Sequence, residues 1–382
     1  MRNFNFTLQQ DIKFGNGSVN MLSEIIQGAS AENILLISDR GLESAGLVGK
    51  VIGILLKNNL KVKTYLDVLP NPTVAIVEEA AAFCKENETD IIIALGGGSS
   101  MDVAKAVSVL AFHGGNIKDY EGFEKVPGET LPVIAIPTTA GTGSEVTASA
   151  VITDEVAKYK YSVISSRIIP DYVLLDPDFI KGLPAKIAAA TGVDAMIHAI
   201  EAYLSVFATP FTDAMAEKAL ELIGGNLRRF VANRSDNEAA CAMLLGSTFA
   251  GIAFRGAKLG NVHAMSHPVS AYYNVPHGVA NAVLLPYVLE YNKVADHGRY
   301  EKIYNYIAVY RDEKTRFNAD MLIEEIRKLN AIFDLPMRLT EVGVKEDDIE
   351  NMAADALKSG NVAANPRTTN FNEMVALYHK AL

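Results

Sequence analysis

The predicted fold is decided by one stretch in the first half of the chain, which reads Asp90-Ile91-Ile92-Ile93-Ala94-Leu95-Gly96-Gly97-Gly98-Ser99-Ser100-Met101-Asp102-Val103-Ala104-Lys105. A near-continuous apolar strand precedes the glycines, and a segment with the composition of a helix follows them. Strands that are apolar on both faces and lead directly into helices are typical of a parallel sheet that is covered by helices. The stretch therefore predicts an α/β fold.

The same glycines suggest a phosphate-binding loop, because a residue without Cβ lets backbone amides approach a phosphate closely. The amides and the dipole at the start of the following helix attract negative charge. Neither G-x-G-x-x-G nor the P-loop pattern fits, so a structural glycine turn stays an alternative. A second polar loop with glycines lies at residues 137–147, and two such loops on neighbouring strands indicate a dinucleotide.

Apolar strands and amphipathic helices alternate on both sides of this stretch. The pattern predicts strands at residues 33–38, 62–66, 132–136 and 172–175, and helices at 48–58 and 74–86. After Pro184 the pattern becomes purely helical, with predicted helices at residues 186–206, 212–230, 238–254, 321–329 and 371–380. We therefore predict a Rossmann-like α/β dinucleotide-binding domain with a parallel sheet, residues 1–180, followed by an all-helical metal- and substrate-binding domain, residues 181–382.

The composition of the chain argues against several classes of protein. The chain has 382 residues, 49% of them hydrophobic, and a net charge of -10, which argues against a nucleic-acid or anionic-membrane partner. Its two cysteines, Cys84 and Cys241, form no C-x-x-C pair and fit a reducing compartment. The N-terminal residues show no apolar signal core, and no uninterrupted apolar run reaches bilayer length. The expectation is a cytoplasmic protein.

Histidines and one carboxylate are concentrated in the helical half. Asp194 and His198 stand four residues apart, as do His263 and His267, so each pair can share a helix face, and His277 follows shortly after. One carboxylate with two or three imidazoles suits iron(II) or zinc and can leave a coordination position open for substrate. Any one of these histidines taken alone is more often an ordinary core residue.

Together these motifs resemble the iron-dependent (group III) alcohol dehydrogenase family over essentially the whole chain. The similarity is carried by residues 96–105, 137–145 and 191–198, and by residues 260–286 with His263, His267, His277 and Asn281. The resemblance implies Fe2+, with Zn2+ as the alternative, bound by Asp194, His198, His263 and His277. The spacing alone does not choose between His263 and His267.

The resemblance also implies NAD as the hydride carrier, held in the cleft between the two domains. The residues that match nucleotide contacts are Asp39, Asn71, Gly97, Gly98, Ser99, Asp102, Thr138, Thr139, Thr142, Thr147 and Lys160. Asp39 follows a strand where such folds hold the adenosine ribose, and its carboxylate would repel a 2′-phosphate, which favours NAD over NADP. Its alternative role is simply to start a turn. Ser149, Phe254 and Val362 match the substrate end.

The predicted activity is hydride transfer between NAD(H) and a short primary alcohol, diol or aldehyde, with the metal polarising the substrate oxygen. His267 is the hypothesis for a catalytic proton relay, and support of the metal ligands is its alternative. The family resemblance implies a homodimer or a larger homo-oligomer. The alternation of Phe4, Phe6 and Leu8 suggests a strand that could pair across an interface.

Two other functions compete with the dehydrogenase. A lyase of the dehydroquinate synthase type needs several basic groups around an anionic substrate, but Lys258 is the only Lys or Arg between Gly256 and Pro286. A non-catalytic protein that binds NAD and a metal to sense redox state is the second alternative. Turnover of a small aldehyde discriminates between it and the enzyme. Within the resembling family, zinc-using glycerol dehydrogenase-like members have a somewhat different histidine pattern.

Overall fold

The structure, a computed structural model, describes residues 3–157, 159–310 and 315–382. It divides into two compact units. The α/β unit comprises the described residues of Thr7–Thr139 and Gly143–Leu183. The helical unit comprises those of Met1–Phe6, Ala140–Thr142 and Pro184–Leu382.

The strands of the described chain all lie in the α/β unit. They are β1 (Asp11–Phe14), β2 (Ile34–Ile37), β3 (Val62–Tyr65), β4 (Ile91–Gly96), β5 (Gly122–Phe123), β6 (Val133–Pro137), β7 (Ser149–Asp154), β8 (Tyr159–Ile164) and β9 (Tyr172–Leu175). Six of them form a parallel sheet in the order β1-β9-β6-β4-β2-β3. The predicted parallel sheet is confirmed.

Helices cover this sheet and form the whole regular structure of the helical unit. In the α/β unit they are α1 (Leu22–Gly28), α2 (Arg40–Ser44), α3 (Leu47–Lys57), α4 (Val74–Glu86) and α5 (Gly98–His113). In the helical unit they are α6 (Ala185–Leu204), α7 (Pro210–Ala232), α8 (Asn237–Ala257), α9 (Asn261–Tyr273), α10 (His277–Asn292), α11 (Arg299–Ile307), α12 (Ala319–Ile332), α13 (Ile349–Ala356) and α14 (Phe371–Ala381). The predicted fold class, α/β followed by all-α, is confirmed.

The strand order brings the predicted nucleotide loops together. β4 lies between β2 and β6, with Ile37 beside Ala94 and Leu95 beside Ile136. All three strands are fully buried and are rich in Ile, Leu and Val, which explains their near-continuous apolar sequence. Because they are parallel, the loops that follow them emerge at one edge of the sheet.

A second, smaller sheet was not predicted. It has the order β5-β8-β7, and β7 and β8 form an antiparallel hairpin. Ala150, Ile152 and Asp154 on β7 are buried and alternate with half-buried residues, which is the period-2 signal of a strand with one face covered. The signal was present in the sequence but was hidden behind the polar loop that precedes it.

Two further features concern the N-terminal residues and the longest apolar helices. Residues 3–10 form no strand in the single chain; the rings of Phe4 and Phe6 pack on Phe211, with centroids 5.8 and 5.2 Å apart, and pairing across an interface stays a prediction. Both α6 and α8 are long and apolar enough to cross a membrane by length and composition alone, although charged residues such as Asp194 in α6 and Arg255 in α8 interrupt their apolar sequence. Most of each helix is buried inside the protein, as is usual for core helices of soluble proteins.

Candidate functional site

The carboxylate and three of the histidines predicted from the sequence meet in the helical unit. Asp194 and His198 lie on one face of α6, His263 lies on α9, and His277 is the first residue of α10. One potential ligand atom from each of these four residues lies within 4.8 Å of the others. The spacing and the chemistry of this group, one carboxylate oxygen with three imidazole nitrogens, fit a divalent transition metal.

Close packing of helix ends makes this meeting possible. A Cβ on Gly278 would lie 2.5 Å from the carbonyl oxygen of Ala190, so only glycine lets the first turn of α10 approach α6 this closely. A Cβ on Gly260, directly before α9, would lie 2.9 Å from Oε1 of Glu201. The glycines beside His263 and His277 therefore have a structural reason.

Hydrogen bonds fix the tautomers of two of the histidines. Nδ1 of His263 lies 2.6 Å from Oε2 of Glu201, and Nδ1 of His198 lies 3.2 Å from the carbonyl oxygen of Gly141. Carboxylate and carbonyl oxygens accept, so both Nδ1 atoms carry the hydrogen and both Nε2 atoms present a lone pair. Such outer partners also orient metal-binding imidazoles.

Glu201 is a candidate functional residue that the sequence analysis missed. It lies on α6, is buried, and accepts hydrogen bonds from the backbone of Val262 at 2.7 Å as well as from His263. Burial raises the pKa of Glu201 to about 7, although backbone donors and the nearby His198 oppose the shift. Its position seven residues after Asp194, on the same face of a helix, was the available signal.

Burial also shapes the charge of the cluster. It raises the pKa of Asp194, against the opposing effects of His198 and the hydrogen bond from Asn281. Burial, followed by repulsion from His198 and His267, lowers the pKa of His263 well below its ordinary value. A neutral His263 offers a lone pair, as a metal requires. The cluster thus has an excess of acceptors in a buried site, which a cation would satisfy.

Of the remaining predicted residues of the helical unit, His267 and Phe254 lie beside the cluster. His267 is partly exposed, and its ring centroid lies 5.5 Å from that of His277 and 6.4 Å from that of His263. Phe254 packs against His198 with ring centroids 4.7 Å apart. Val362 begins a short 3-10 helix, Val362–Ala364. His267 is thus a neighbour of the four clustered residues.

Several of the predicted nucleotide residues of the α/β unit lie at the carboxyl edge of the large sheet. Asp39 directly follows β2, Gly97 precedes α5, and Thr138 follows β6. The backbone N–H of Thr138 donates to the carbonyl oxygen of Gly96 at 3.0 Å, and a Cβ on Gly97 would lie 3.3 Å from the hydroxyl of Thr139. The start of α5, with Gly98 and Ser99, therefore lies beside the second loop, as a dinucleotide site requires.

Asp39 has a second contact that bears on its role. Its carboxylate accepts from the backbone N–H of Leu42 at 2.9 Å and caps α2. Asp39 therefore does start a turn, which is the alternative role that the sequence left open. One oxygen serves as the cap, and a carboxylate has two oxygens with room for several donors. Capping and ribose binding are compatible.

Lys160 and Asn71 form a pair elsewhere in the α/β unit. The amino group of Lys160 donates to Oδ1 of Asn71 at 2.7 Å, and Asn71 has a left-handed backbone with φ of 57°. Burial lowers the pKa of Lys160 to about 8, although the carboxylate of Asp102 opposes the shift. An amine that titrates near neutral pH is unusual for a structural lysine.

Lys105 is a buried charge whose contacts the sequence did not reveal. It is fully buried, and its amino group donates to the carbonyl and hydroxyl of Ser144, to the hydroxyl of Thr147 at 3.0 Å and to the carbonyl of Ser149 at 3.0 Å. Asp102, one turn earlier on α5, accepts from the hydroxyl of Ser144 at 2.9 Å. Together they fix the loop that carries two predicted site residues, Thr147 and Ser149. The other predicted residue of this region, Thr142, belongs to the helical unit.

Comparison with known proteins identifies the family of the chain. Residues 9–177 match the family model for iron-containing alcohol dehydrogenase, and residues 188–382 match the model for the C-terminal part of the Fe-containing alcohol dehydrogenase family. The 1,3-propanediol dehydrogenase of Citrobacter freundii is 37% identical over 100% of this chain and 99% of its own length. The NAD-dependent methanol dehydrogenase of Bacillus methanolicus is 37% identical over 99% and 100%. A solved structure of 1,3-propanediol oxidoreductase superimposes with a TM-score of 0.95 at 38% identity, covering 100% of both chains. The chain belongs to the iron-containing alcohol dehydrogenase family.

Proposed function

We propose that this protein is an NAD(H)-dependent alcohol dehydrogenase that interconverts a short primary alcohol or diol with its aldehyde. The observation that carries the proposal is the group of buried Asp194, His198 and His263 with half-buried His277, whose ligand atoms lie within 4.8 Å of one another. The names of the relatives, which include propanediol and methanol dehydrogenases, support this class of substrate. Family membership favours this activity over the lyase and the non-catalytic alternatives.

The four residues would hold Fe2+, with Zn2+ as the alternative, and the bound ion would supply Lewis acidity toward the substrate oxygen. The protein contributes the arrangement. Glu201 and the carbonyl of Gly141 hold two imidazoles so that their Nε2 atoms stay available. Phe254 provides an apolar surface beside His198, which favours a small carbon skeleton.

Proton transfer is assigned to His267 in this proposal. It is partly exposed and close to His277, and an imidazole can both accept and donate a proton, so it can exchange a proton between the substrate hydroxyl and solvent. The alternative is that His267 only supports the cluster. An His267→Ala variant with an unchanged pH–rate profile would remove the relay role.

The nucleotide is assigned to the α/β unit. The start of α5 and the loop after β6 would bind the pyrophosphate, and Asp39 would bind the adenosine ribose. The relative named as NAD-dependent supports NAD over NADP. We also propose a cytoplasmic location, which the two free cysteines support, and a homodimer or larger homo-oligomer.

The test is oxidation of NADH by anaerobically purified protein, stripped of metal and then supplied with iron(II) or zinc. The aldehyde panel contains acetaldehyde, butanal, 3-hydroxypropanal, lactaldehyde and formaldehyde. We expect metal-dependent oxidation of NADH that is much weaker with NADPH. No turnover with any aldehyde under either metal would refute the enzyme and favour the non-catalytic alternative.

A further inference from the structure

Asn281 is a fully buried polar residue at the centre of the cluster, and the proposed function gives it no role. It lies on α10 one turn after His277, so the two side chains share a helix face. Its Nδ2 donates to Oδ1 of Asp194 at 2.6 Å and also lies 3.1 Å from Nε2 of His263 and 3.1 Å from Nε2 of His277. One nitrogen therefore contacts three of the four clustered residues, which come from three helices.

The orientation of the Asn281 carboxamide follows from the chemistry of its neighbours. The carboxylate of Asp194 only accepts when ionised, so the NH2 group must face it, and a flipped amide would place two oxygens against each other. The lone pair on Nε2 of His263 is established by the hydrogen bond of its Nδ1 to Glu201. Both neighbours thus need the NH2 group on the same side.

This orientation leaves the carboxamide oxygen of Asn281 without a hydrogen-bond donor in the described part of the chain. Oδ1 of Asn281 is buried and accepts no hydrogen bond from the described residues. A buried carbonyl without a donor is unfavourable, so the contacts of the NH2 group at the other end must offset its cost. At Asn281 those contacts are all made to the clustered residues.

We propose that Asn281 is a positioning residue for the metal centre. Resting on the proposed function, this inference states that its NH2 group donates one hydrogen to Asp194 and shares the other between Nε2 of His263 and Nε2 of His277 while no cation is bound. Three of the four ligands are then held close together in the metal-free protein. A metal ion enters a site in which these side chains are already ordered, so the free energy of metal binding does not have to offset their ordering.

A matched control exists in the same region. Asn330 on α12 is also fully buried, donates one hydrogen bond to the carbonyl of Ala282 on α10 at 2.7 Å, and also has an Oδ1 without a donor among the described residues. This hydrogen bond to Ala282 involves none of the four clustered residues. An Asn330→Leu variant therefore tests the loss of a buried amide that packs on α10 without touching the ligands.

The experiment measures zinc affinity of the full chain by competition with a chromogenic chelator, with iron(II) under anaerobic conditions as a second probe. Removing an outer partner of a metal site usually weakens metal binding about 10–100-fold, so we expect that loss in Asn281→Leu. Asn330→Leu should bind zinc as the wild type does. Equal zinc affinity of Asn281→Leu and the wild type would overturn the inference.

A second variant covers the case in which Asn281→Leu does not fold. Asn281→Asp keeps the shape but replaces the donor with an acceptor, so we expect a lower melting temperature without metal and a larger rise on adding zinc than in the wild type. Melting temperatures equal to those of the wild type, with and without zinc, would contradict the inference. If the wild-type chain itself bound neither zinc nor iron(II), the proposed function would fail.

Discussion

Replacing Lys105 by Met removes a buried ammonium group while keeping an unbranched apolar side chain of similar length. The ammonium contacts four acceptors at distances up to 3.0 Å, on Ser144, Thr147 and Ser149, and is 0% exposed. After the substitution these acceptors lose their donor and the carboxylate of Asp102 loses its nearby positive charge.

The expected loss of stability follows from the burial of Lys105 and of the carboxylate of Asp102. Removing one partner of a buried charged network leaves the other uncompensated, which costs about 3–5 kcal/mol. For a unit of this size, each 1 kcal/mol lowers the melting temperature by about 2–4 °C, so a fall of roughly 6–20 °C is expected. Because the loop with Thr147 loses its anchor, NADH binding should weaken in protein that is still folded.

Thermal unfolding followed by circular dichroism measures the first effect, and NADH fluorescence titration well below the melting temperature measures the second. Lys118→Met is a control, because it removes an exposed lysine that pairs with Asp154 in the same unit. The double variant Asp102→Asn with Lys105→Met should recover part of the lost stability, since no buried charge is then left alone. A Lys105→Met protein that melts and binds NADH like the wild type would refute the reasoning.

Three further predictions concern single residues. Glu201→Gln should weaken zinc binding about 10–100-fold, as measured by chelator competition. The NH2 group of the new glutamine must face a hydrogen-bond donor, either Nδ1–H of His263 or the backbone N–H of Val262. Unchanged zinc affinity would contradict this role of Glu201. NADH binding should weaken as the pH rises past about 8, where the lowered pKa of Lys160 removes its positive charge, and titrations of Lys160→Met should lack this step. Asp39→Gly should raise kcat/KM for NADPH relative to NADH, because the repulsion of the 2′-phosphate is lost; an unchanged ratio would show that another group selects the nucleotide.

The lowered pKa of Lys160 also makes the stability of the folded protein depend on pH. Its folded pKa, about 8, lies below the ordinary lysine pKa of 10.5, so as the pH rises the folded state releases this proton before the unfolded state does. Below about pH 8 the buried charge opposes folding, and between about pH 8 and 10.5 this contribution becomes less unfavourable as the pH rises. Lys160→Met should flatten that part of the stability profile.

The architecture was predictable because burial on both faces leaves a clear mark in the sequence. The four-residue strands β2 and β9 are apolar except for Tyr172, and α4 extends over residues 74–86, as the sequence predicted. The hairpin of β7 and β8 was missed because each strand has one covered face and follows a polar loop. The weak alternation of a half-buried strand is easily obscured by its neighbours.

Within the site, residue types were predictable but partners were not. Spacing placed His263 and His267 on one helix face, yet only the rotation of α9 against α6 decides which of them reaches Asp194. Glu201 and His263 are 62 residues apart, and Lys105 and Ser144 are 39 apart. Helical periodicity reports which residues share a face and carries no information about what that face meets.

The glycines and the histidines of the helical unit are both explained by the close approach of three helices. A metal cluster built from three helices needs their backbones to approach closely, and the sites of closest approach are the starts of α9 and α10. A Cβ on Gly260 would meet Glu201 and Asn365, at 2.9 and 3.0 Å, and a Cβ on Gly278 would meet Ala190. Glu201, which orients the imidazole of His263, thus also excludes any larger side chain at Gly260. His263 is three residues from Gly260 and His277 is directly before Gly278, so both histidines lie where backbones meet. The combination of glycine and histidine is therefore more informative than either residue type alone.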